Sequence, residues 1–266
     1  MKKAFLSIFS VMALAMGFTA CQKEAKVENM RFTASLEACT DMESKTVLDG
    51  VHVNWEANDQ IIVYGTEGCG VFTAIPHGTN QTTIDFGDGT ANPGNAPYTA
   101  FYPVSLATSA NQVMIPAVVN SVDGRLTEFP MYAESDNEIL TFKNLCGALK
   151  LNLQKENVSI QSIQITAADA NLNGEYRVRN SGIIPTMFYL GNGTNTVTLN
   201  LTEAQDITTA KDFYITLPHG NYRGVVITIN TNDGRQCVKT LKADKSINIG
   251  RSQVTSIVLG SANLNF

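Results

Sequence analysis

Leu149-Lys150-Leu151-Asn152-Leu153 alternates apolar and polar side chains without a break, and Val197-Thr198-Leu199-Asn200-Leu201 and Val226-Ile227-Thr228-Ile229 keep nearly the same rhythm. A period of two sends successive side chains to opposite faces of an extended strand, so one face meets a core and the other meets water. Working outward, the same reading assigns strands to residues 31–36, 51–55, 61–64, 71–75, 82–86, 98–102, 112–115, 160–167, 175–178, 213–217, 236–241 and 252–259. Turn residues punctuate them. Asp49-Gly50 separates Thr46-Val47-Leu48 from Val51-His52-Val53, and Asp233-Gly234 separates residues 225–230 from 236–241; both are strong hairpin signals. Asn192-Gly193 and His219-Gly220-Asn221 mark further turns. No window of a dozen residues carries a helical stripe, and residues 201–210 offer at most a turn or two. Many short strands between frequent turns predict an all-β chain built as β-sandwiches, not βαβ units.

Composition narrows the function classes. The chain has 266 residues, a formal charge of −5, 16% charged residues and 44% apolar ones. That is ample for one large domain or two small ones. An acidic balance with sparse Lys and Arg argues against nucleic-acid binding, whose footprint is a basic stripe. High apolar content at low net charge argues against disorder, and no apolar run after residue 20 approaches the ~20 residues that span a bilayer.

The amino terminus points to export. Met1-Lys2-Lys3 is a short positive segment, and residues 4–17 form an apolar run too short to span a bilayer. It ends in Phe18-Thr19-Ala20-Cys21, small residues before a cysteine, which resembles a bacterial lipobox with Phe18 in place of the usual Leu. On that reading residues 1–20 are a lipoprotein signal and Cys21 is the lipid attachment site. An ordinary secretory signal cleaved near Ala20 is the alternative. Each buried CH₂ of an acyl chain contributes ~0.8 kcal/mol, so several chains together hold a protein to a membrane. Residues 21–30 then make a polar tether, and its Cys-Gln-Lys-Glu start resembles the export signals of Bacteroidales surface lipoproteins.

Cysteines sit at 21, 39, 69, 146 and 237, with no Cys-x-x-Cys pair and no His at zinc spacing. Beyond Cys21, buried unpaired thiols are the favoured reading over two disulfides, because free Cys behaves as a small buried hydrophobe.

Catalytic constellations are missing. Asp85-Phe86-Gly87 spells a kinase magnesium motif but lacks its partner loops, and it reads as a strand end entering a turn. Gly65, Gly68 and Gly70 are not spaced as a dinucleotide fingerprint. His52, His77 and His219 are scattered beside turns. Asp85 and Asp88 lack the calcium-loop register, so an Asx turn is the plainer reading. Tyr64, Phe72, Phe86, Tyr98, Phe101 and Tyr102 could form a glycan platform, but aromatics alternating in strands usually fill a core. Trp55 is the only tryptophan and is predicted to anchor the first core beneath Ile61 and Val63. The sequence therefore predicts no enzyme, no metal and no cofactor.

Six of the eight prolines fall before residue 131, and cleaner, longer strands follow residue 145. A boundary near residues 143–147 divides the chain into an N-terminal β-sandwich, 31–145, and a C-terminal one, 146–266, each of ordinary domain size.

At this point the residues resemble a family. Lys45-Thr46-x-Leu48-Asp49-Gly50, followed by Val53-Asn54-Trp55-Glu56-Ala57-Asn58-Asp59-Gln60-Ile61-x-Val63-Tyr64, is similar to the opening of fimbrillin-like (Mfa-like) proteins, with Asn58 where that family has Gly. Tyr98-Thr99-Ala100-Phe101-Tyr102-Pro103, Pro130-Met131-Tyr132-Ala133 and residues 140–151 resemble its later segments, so the likeness covers about residues 45–155. The resemblance implies two tandem transthyretin-like Greek-key sandwiches in a surface lipoprotein of Bacteroidales fimbriae. It also implies that an arginine-specific protease removes an amino-terminal strand and that a neighbouring subunit's strand fills the groove. Such a groove exposes unpaired N–H and C=O groups, which another chain completes. Donor candidates are residues 31–36, and residues 252–259 with the 261–266 tail. Arg31 is the candidate processing site. The implied function is a non-catalytic fimbrial subunit or accessory (tip or anchor) protein at the outer-membrane surface, mediating adhesion. Its partners would be other subunits, the membrane through the lipid, and a host protein or glycan. The competing function is a monomeric surface lipoprotein that binds glycans.

Overall fold

The computed structural model describes residues 30–37, 55–75, 82–121, 129–180, 184–242 and 244–266. The lipobox with Cys21, most of the tether, the Asp49-Gly50 hairpin, Cys39, His52 and His77 lie outside them.

In chain order the described strands are β1 (Phe32–Leu36), β2 (Gln60–Gly65), β3 (Gly68–Ile75), β4 (Thr83–Gly87), β5 (Tyr98–Tyr102), β6 (Ala107–Ser109), β7 (Gln112–Ile115), β8 (Val118–Ser121), β9 (Met131–Ser135) and β10 (Ile139–Asn144). They continue as β11 (Cys146–Leu153), β12 (Ser159–Thr166), β13 (Gly174–Asn180), β14 (Pro185–Gly191), β15 (Thr196–Asp206), β16 (Lys211–Pro218), β17 (Gly220–Arg223), β18 (Val226–Thr231), β19 (Gln236–Thr240), β20 (Ser246–Ile249) and β21 (Val254–Leu259). Among the described residues the only helical pieces are two 3-10 turns, Val104–Leu106 and Ser261–Asn263. The all-β reading holds. The helical turn entertained for residues 201–210 is absent, because β15 runs on as a strand through Asp206.

Seven strands of the first half join in the order β1-β10-β9-β5-β2-β3-β4, and β4 pairs back to β1, so the ladder closes on itself. Closure removes the free edges that would template foreign strands. Its interior is aromatic. Trp55 packs edge-on against Phe86, Tyr102 and Phe142 with ring centroids 5.1–5.3 Å apart, and shares the core with Ile61 and Val63, as the sequence predicts. Asn58 sits in the turn before β2 at φ +73°, a left-handed conformation that Gly adopts freely and Asn tolerates best among the rest.

In the second half, β16-β11-β21 and β19-β18-β12-β15-β8 are two sheets whose inward residues fill one core. Leu149, Leu151, Leu153, Phe213 and Ile215 come from the first sheet; Ile163, Ile165, Val197, Leu199 and Ile229 come from the second. Of these, Leu149, Leu151, Leu153, Val197, Leu199 and Ile229 are residues that the alternation in the opening segments assigns inward. Gly234 closes the β18–β19 hairpin at φ +86°, where the Asp233-Gly234 signal puts it.

Residues 107–121 belong by sequence to the first half and by pairing to the second. β7 pairs with β13, and β8 pairs in parallel with β15. The resulting sheet β14-β13-β7-β6 lies against the ring. Val113, Ile115, Tyr176 and Val178 pack with Ile62, Phe101 and Tyr132 from the ring's outer face in a third core.

Candidate functional site

β1 is the strand on which an exchange mechanism would act. It pairs antiparallel with β4, from Phe32↔Phe86 to Ser35↔Thr83, and parallel with β10, from Thr33↔Ile139 to Leu36↔Phe142. Alternation sends Phe32 and Ala34 inward, both fully buried. The Phe32 ring meets Phe72 and Tyr98 edge-on at 4.8 and 5.1 Å. On the outer face, Thr33 Oγ1 donates to Asp85 Oδ1 at 2.8 Å, and Ser35 Oγ donates to Thr141 Oγ1 at 3.4 Å. The Asp of Asp85-Phe86-Gly87 is thus a partner of β1, and its Phe86 is core. Taking β1 away would open the ring between β4 and β10 and empty the two inward positions. Arg31 stands exposed immediately before it. A cut after Arg31 therefore releases everything upstream and leaves β1 attached, whereas the family pattern implies that the strand itself departs.

The far end of β1 meets the far end of the chain. Glu37 Oε1 accepts from Arg251 Nη1 at 2.5 Å, from Ser252 Oγ at 2.6 Å and from the Asn144 backbone N–H at 2.9 Å. Arg251 Nη1 also donates to the Asn144 carbonyl at 2.9 Å, and Asn144 Nδ2 donates to Ser252 Oγ at 2.9 Å. The Glu37 and Arg251 side chains are 18% and 20% exposed. Burial alone would raise the Glu37 pKa, but these hydrogen bonds outweigh it and hold the carboxyl below its usual value. Ser252 takes φ +58°, strained for a serine, on the turn that this cluster grips. One carboxylate thus ties the end of β1 to the ends of β10 and of the β20–β21 turn.

β21, the other donor candidate, is an outer strand of its three-stranded sheet. Among the described residues it pairs only with β11, in parallel from Ala148↔Val254 to Leu153↔Leu259. Val258 is 68% exposed, yet Leu264 in the tail is fully buried in the second core. Gly147 lies where β11 meets the β20–β21 turn, and a Cβ there would run into the Gly250 carbonyl.

Of the six aromatics weighed as a glycan platform, Phe72, Phe86, Tyr98 and Phe101 are buried, and Tyr64 and Tyr102 are half-buried. They are core residues. Among the described residues the exposed aromatics are Phe188 and Tyr189 on β14, which the sequence reading overlooks. Their signal is Ile184-Pro185-Thr186-Met187-Phe188-Tyr189-Leu190, an apolar run without clean alternation. His219 is exposed in the turn between β16 and β17. Asp85 is occupied by Thr33, and Asp88 takes φ +49° after β4. No group of three or more His, Cys, Asp or Glu among the described residues is placed to hold a metal. The expectation of unpaired thiols is met by Cys146 and Cys237, both free and buried, and must be corrected at Cys69, which is disulfide-bonded. Wide sequence spacing gave no hint of that bond, because disulfide geometry is set in space.

No family model and no curated protein matches the chain. Solved structures do. A candidate cell adhesion protein of Bacteroides ovatus is 11% identical, covers 90% of this chain and 93% of its own, and superposes with a TM-score of 0.53. A candidate cell adhesion protein of Bacteroides uniformis is 15% identical over 88% and 94%, at a TM-score of 0.48. The tip fimbrial protein Mfa3 of Porphyromonas gingivalis is 12% identical over 84% and 92%, at 0.29. Only the first superposition is close enough to carry a statement about fold. The chain shares the fold of the Bacteroides ovatus candidate cell adhesion protein, and the solved structures it is similar to are described as candidate cell adhesion and fimbrial proteins of Bacteroidales.

Proposed function

We infer that this protein is a non-catalytic fimbrial subunit or accessory (tip or anchor) lipoprotein, anchored through Cys21 at the outer-membrane surface, which assembles by strand exchange and mediates adhesion. The observation that carries the reading is the position of β1. It is a short strand near the amino terminus, among the described strands it alone joins β4 to β10, and it fills two fully buried core sites. Its withdrawal leaves a groove with backbone groups unpaired on both sides, which an extended segment of another subunit can complete. The fold shared with a candidate cell adhesion protein supports the reading, and so does the disulfide at Cys69, since such bonds persist in oxidising, exported settings.

In this proposal the two halves, 31–145 and 146–266, are tandem transthyretin-like sandwiches, with residues 107–121 lending strands across the boundary. Cleavage at Arg31 trims the tether and its lipid and leaves Phe32 as a free amino terminus. β1 then leaves the ring by swinging out. Uncleaved chains stay anchored. Partners are other subunits, the membrane, and a host protein or glycan.

Mass spectrometry of the protein sheared from the cell surface, set against the membrane fraction, tests this. The expected result is diacylglyceryl and acyl mass on Cys21 in the membrane fraction, with any sheared polymer starting at Phe32. A mature protein that starts elsewhere, carries no fatty acid and is fully soluble would overturn the proposal.

A further inference from the structure

The sheet β14-β13-β7-β6 turns one face to the protein and the other to solvent. Val113, Ile115, Tyr176, Val178 and Met187 point into the third core. On the outer face Arg177 stands opposite Phe188 and Arg179 opposite Thr186, with Leu190 two residues further along β14. Phe188 and Leu190 are 48% and 42% exposed, and the Arg179 guanidinium lies 5.1 Å from the Phe188 ring centre. Among the described residues β14 is an outer strand with β13 as its sole partner in the sheet. Apolar residues left in water beside charge mark an interaction surface, and exposed Phe and Arg are the residue types that interfaces concentrate. A fitting partner must supply an apolar knob and negative charge.

The same chain offers that combination elsewhere. The turn between β9 and β10 carries exposed Asp136 and Glu138, followed at once by Ile139, which is 63% exposed. The tip is held in shape. The Asn137 N–H donates to Ser135 Oγ at 3.2 Å, and the Ile139 N–H donates to Asn137 Oδ1 at 2.9 Å. Among the described residues no ion pair ties Arg177, Arg179, Asp136 or Glu138 to the rest of its own molecule, and each surface repels its own kind. The contact is therefore heterologous and leaves a free tip and a free patch after every addition.

We propose that the outer face of β13 and β14, with Arg177, Arg179, Phe188 and Leu190, docks the Asp136-Glu138-Ile139 tip of a second copy of this chain. The contact inserts no strand, although its tip adjoins β1 through the Thr33↔Ile139 pair, so it is read on the purified protein with β1 in place and apart from strand exchange. It also differs in kind, since a contact steered by charge weakens in salt while an inserted strand does not.

Sedimentation velocity of the purified protein over a concentration series, at low and high salt, reads the association directly. Wild type is expected to self-associate at low salt and to dissociate as salt rises. R177E/R179E and D136K/E138K should each associate at least roughly tenfold more weakly alone. Mixing them should restore association, because the acidic tip of the first meets the unaltered patch of the second, and the reversed tip and patch also match. All four positions are on the surface, so both variants should keep the wild-type circular dichroism. A monomeric wild type at every concentration, variants that associate undiminished, or a mixture that stays monomeric would each overturn the proposal. So would a monomer whose Arg177/Arg179 face instead binds polygalacturonate, which would make the patch an acidic-glycan site.

Discussion

Replacing Glu37 by Ala removes the acceptor of three hydrogen bonds at once, from Arg251 Nη1, Ser252 Oγ and the Asn144 N–H. Hydrogen bonds to a charged group contribute about 1.5–3 kcal/mol each when buried, but they share one oxygen here and so do not add. Leaving a buried cation unpaired costs about 3–5 kcal/mol. With Arg251 one-fifth exposed, water and the Asn144 carbonyl recover part of this, so a loss of about 2–3 kcal/mol is expected for Glu37→Ala. Arg251→Ala should cost less, about 1–2 kcal/mol, because Ser252 and Asn144 still satisfy the carboxylate. The coupling between the two sites, read from urea denaturation of both single variants and the double variant at neutral pH, should be about 1–2 kcal/mol. Because the folded-state carboxyl titrates below its ordinary value of 4.5, the stabilisation is fully present above that pH and is lost as pH falls through the folded value. The coupling should therefore vanish in acid. Additive variants, or a coupling unchanged in acid, would refute the account of this junction.

Other substitutions probe other parts of the fold. Phe32→Ala empties a fully buried site between Phe72 and Tyr98 and should destabilise the protein by about 3–5 kcal/mol in chemical denaturation. Thr216 Oγ1 is buried without a hydrogen-bond partner, so Thr216→Val should raise the melting temperature, by about 1 kcal/mol of stability or less. Gly147→Ala drives a methyl into the Gly250 carbonyl and should abolish soluble, cooperatively folding protein. Reducing the disulfide at Cys69 should lower stability by about 2–4 kcal/mol. In the unreduced native protein, Cys146 and Cys237 should resist maleimide labelling; burial shields both and raises the Cys146 pKa.

Many strand positions were legible because burial on one face imposes alternation, which residues 149–153, residues 196–201 and β18 follow residue by residue. The inward residues of β11, β15 and β18 could be named from sequence alone. Pairing was not legible. Nothing in Gln112–Ile115 or Val118–Ser121 announces that β7 and β8 cross to sheets of the second half, because partner choice depends on which edges lie free in space. β14 was missed for a related reason: an outer strand that exposes side chains on both faces loses its period. Arg31 was legible as an exposed arginine, but its place upstream of β1 depends on where the strand begins. The Glu37–Arg251 pair, 214 residues apart, carries no sequence signature.

The claim that β1 leaves the ring for another subunit's strand can be met with a lock. Ser35 and Thr141 face each other across β1 and β10, so S35C/T141C should bridge the two strands within one chain. The account predicts that this variant, oxidised and exported at wild-type levels, yields no polymer ladder on unheated gels, while each single-cysteine parent does. A locked protein that polymerises as well as its parents would contradict it.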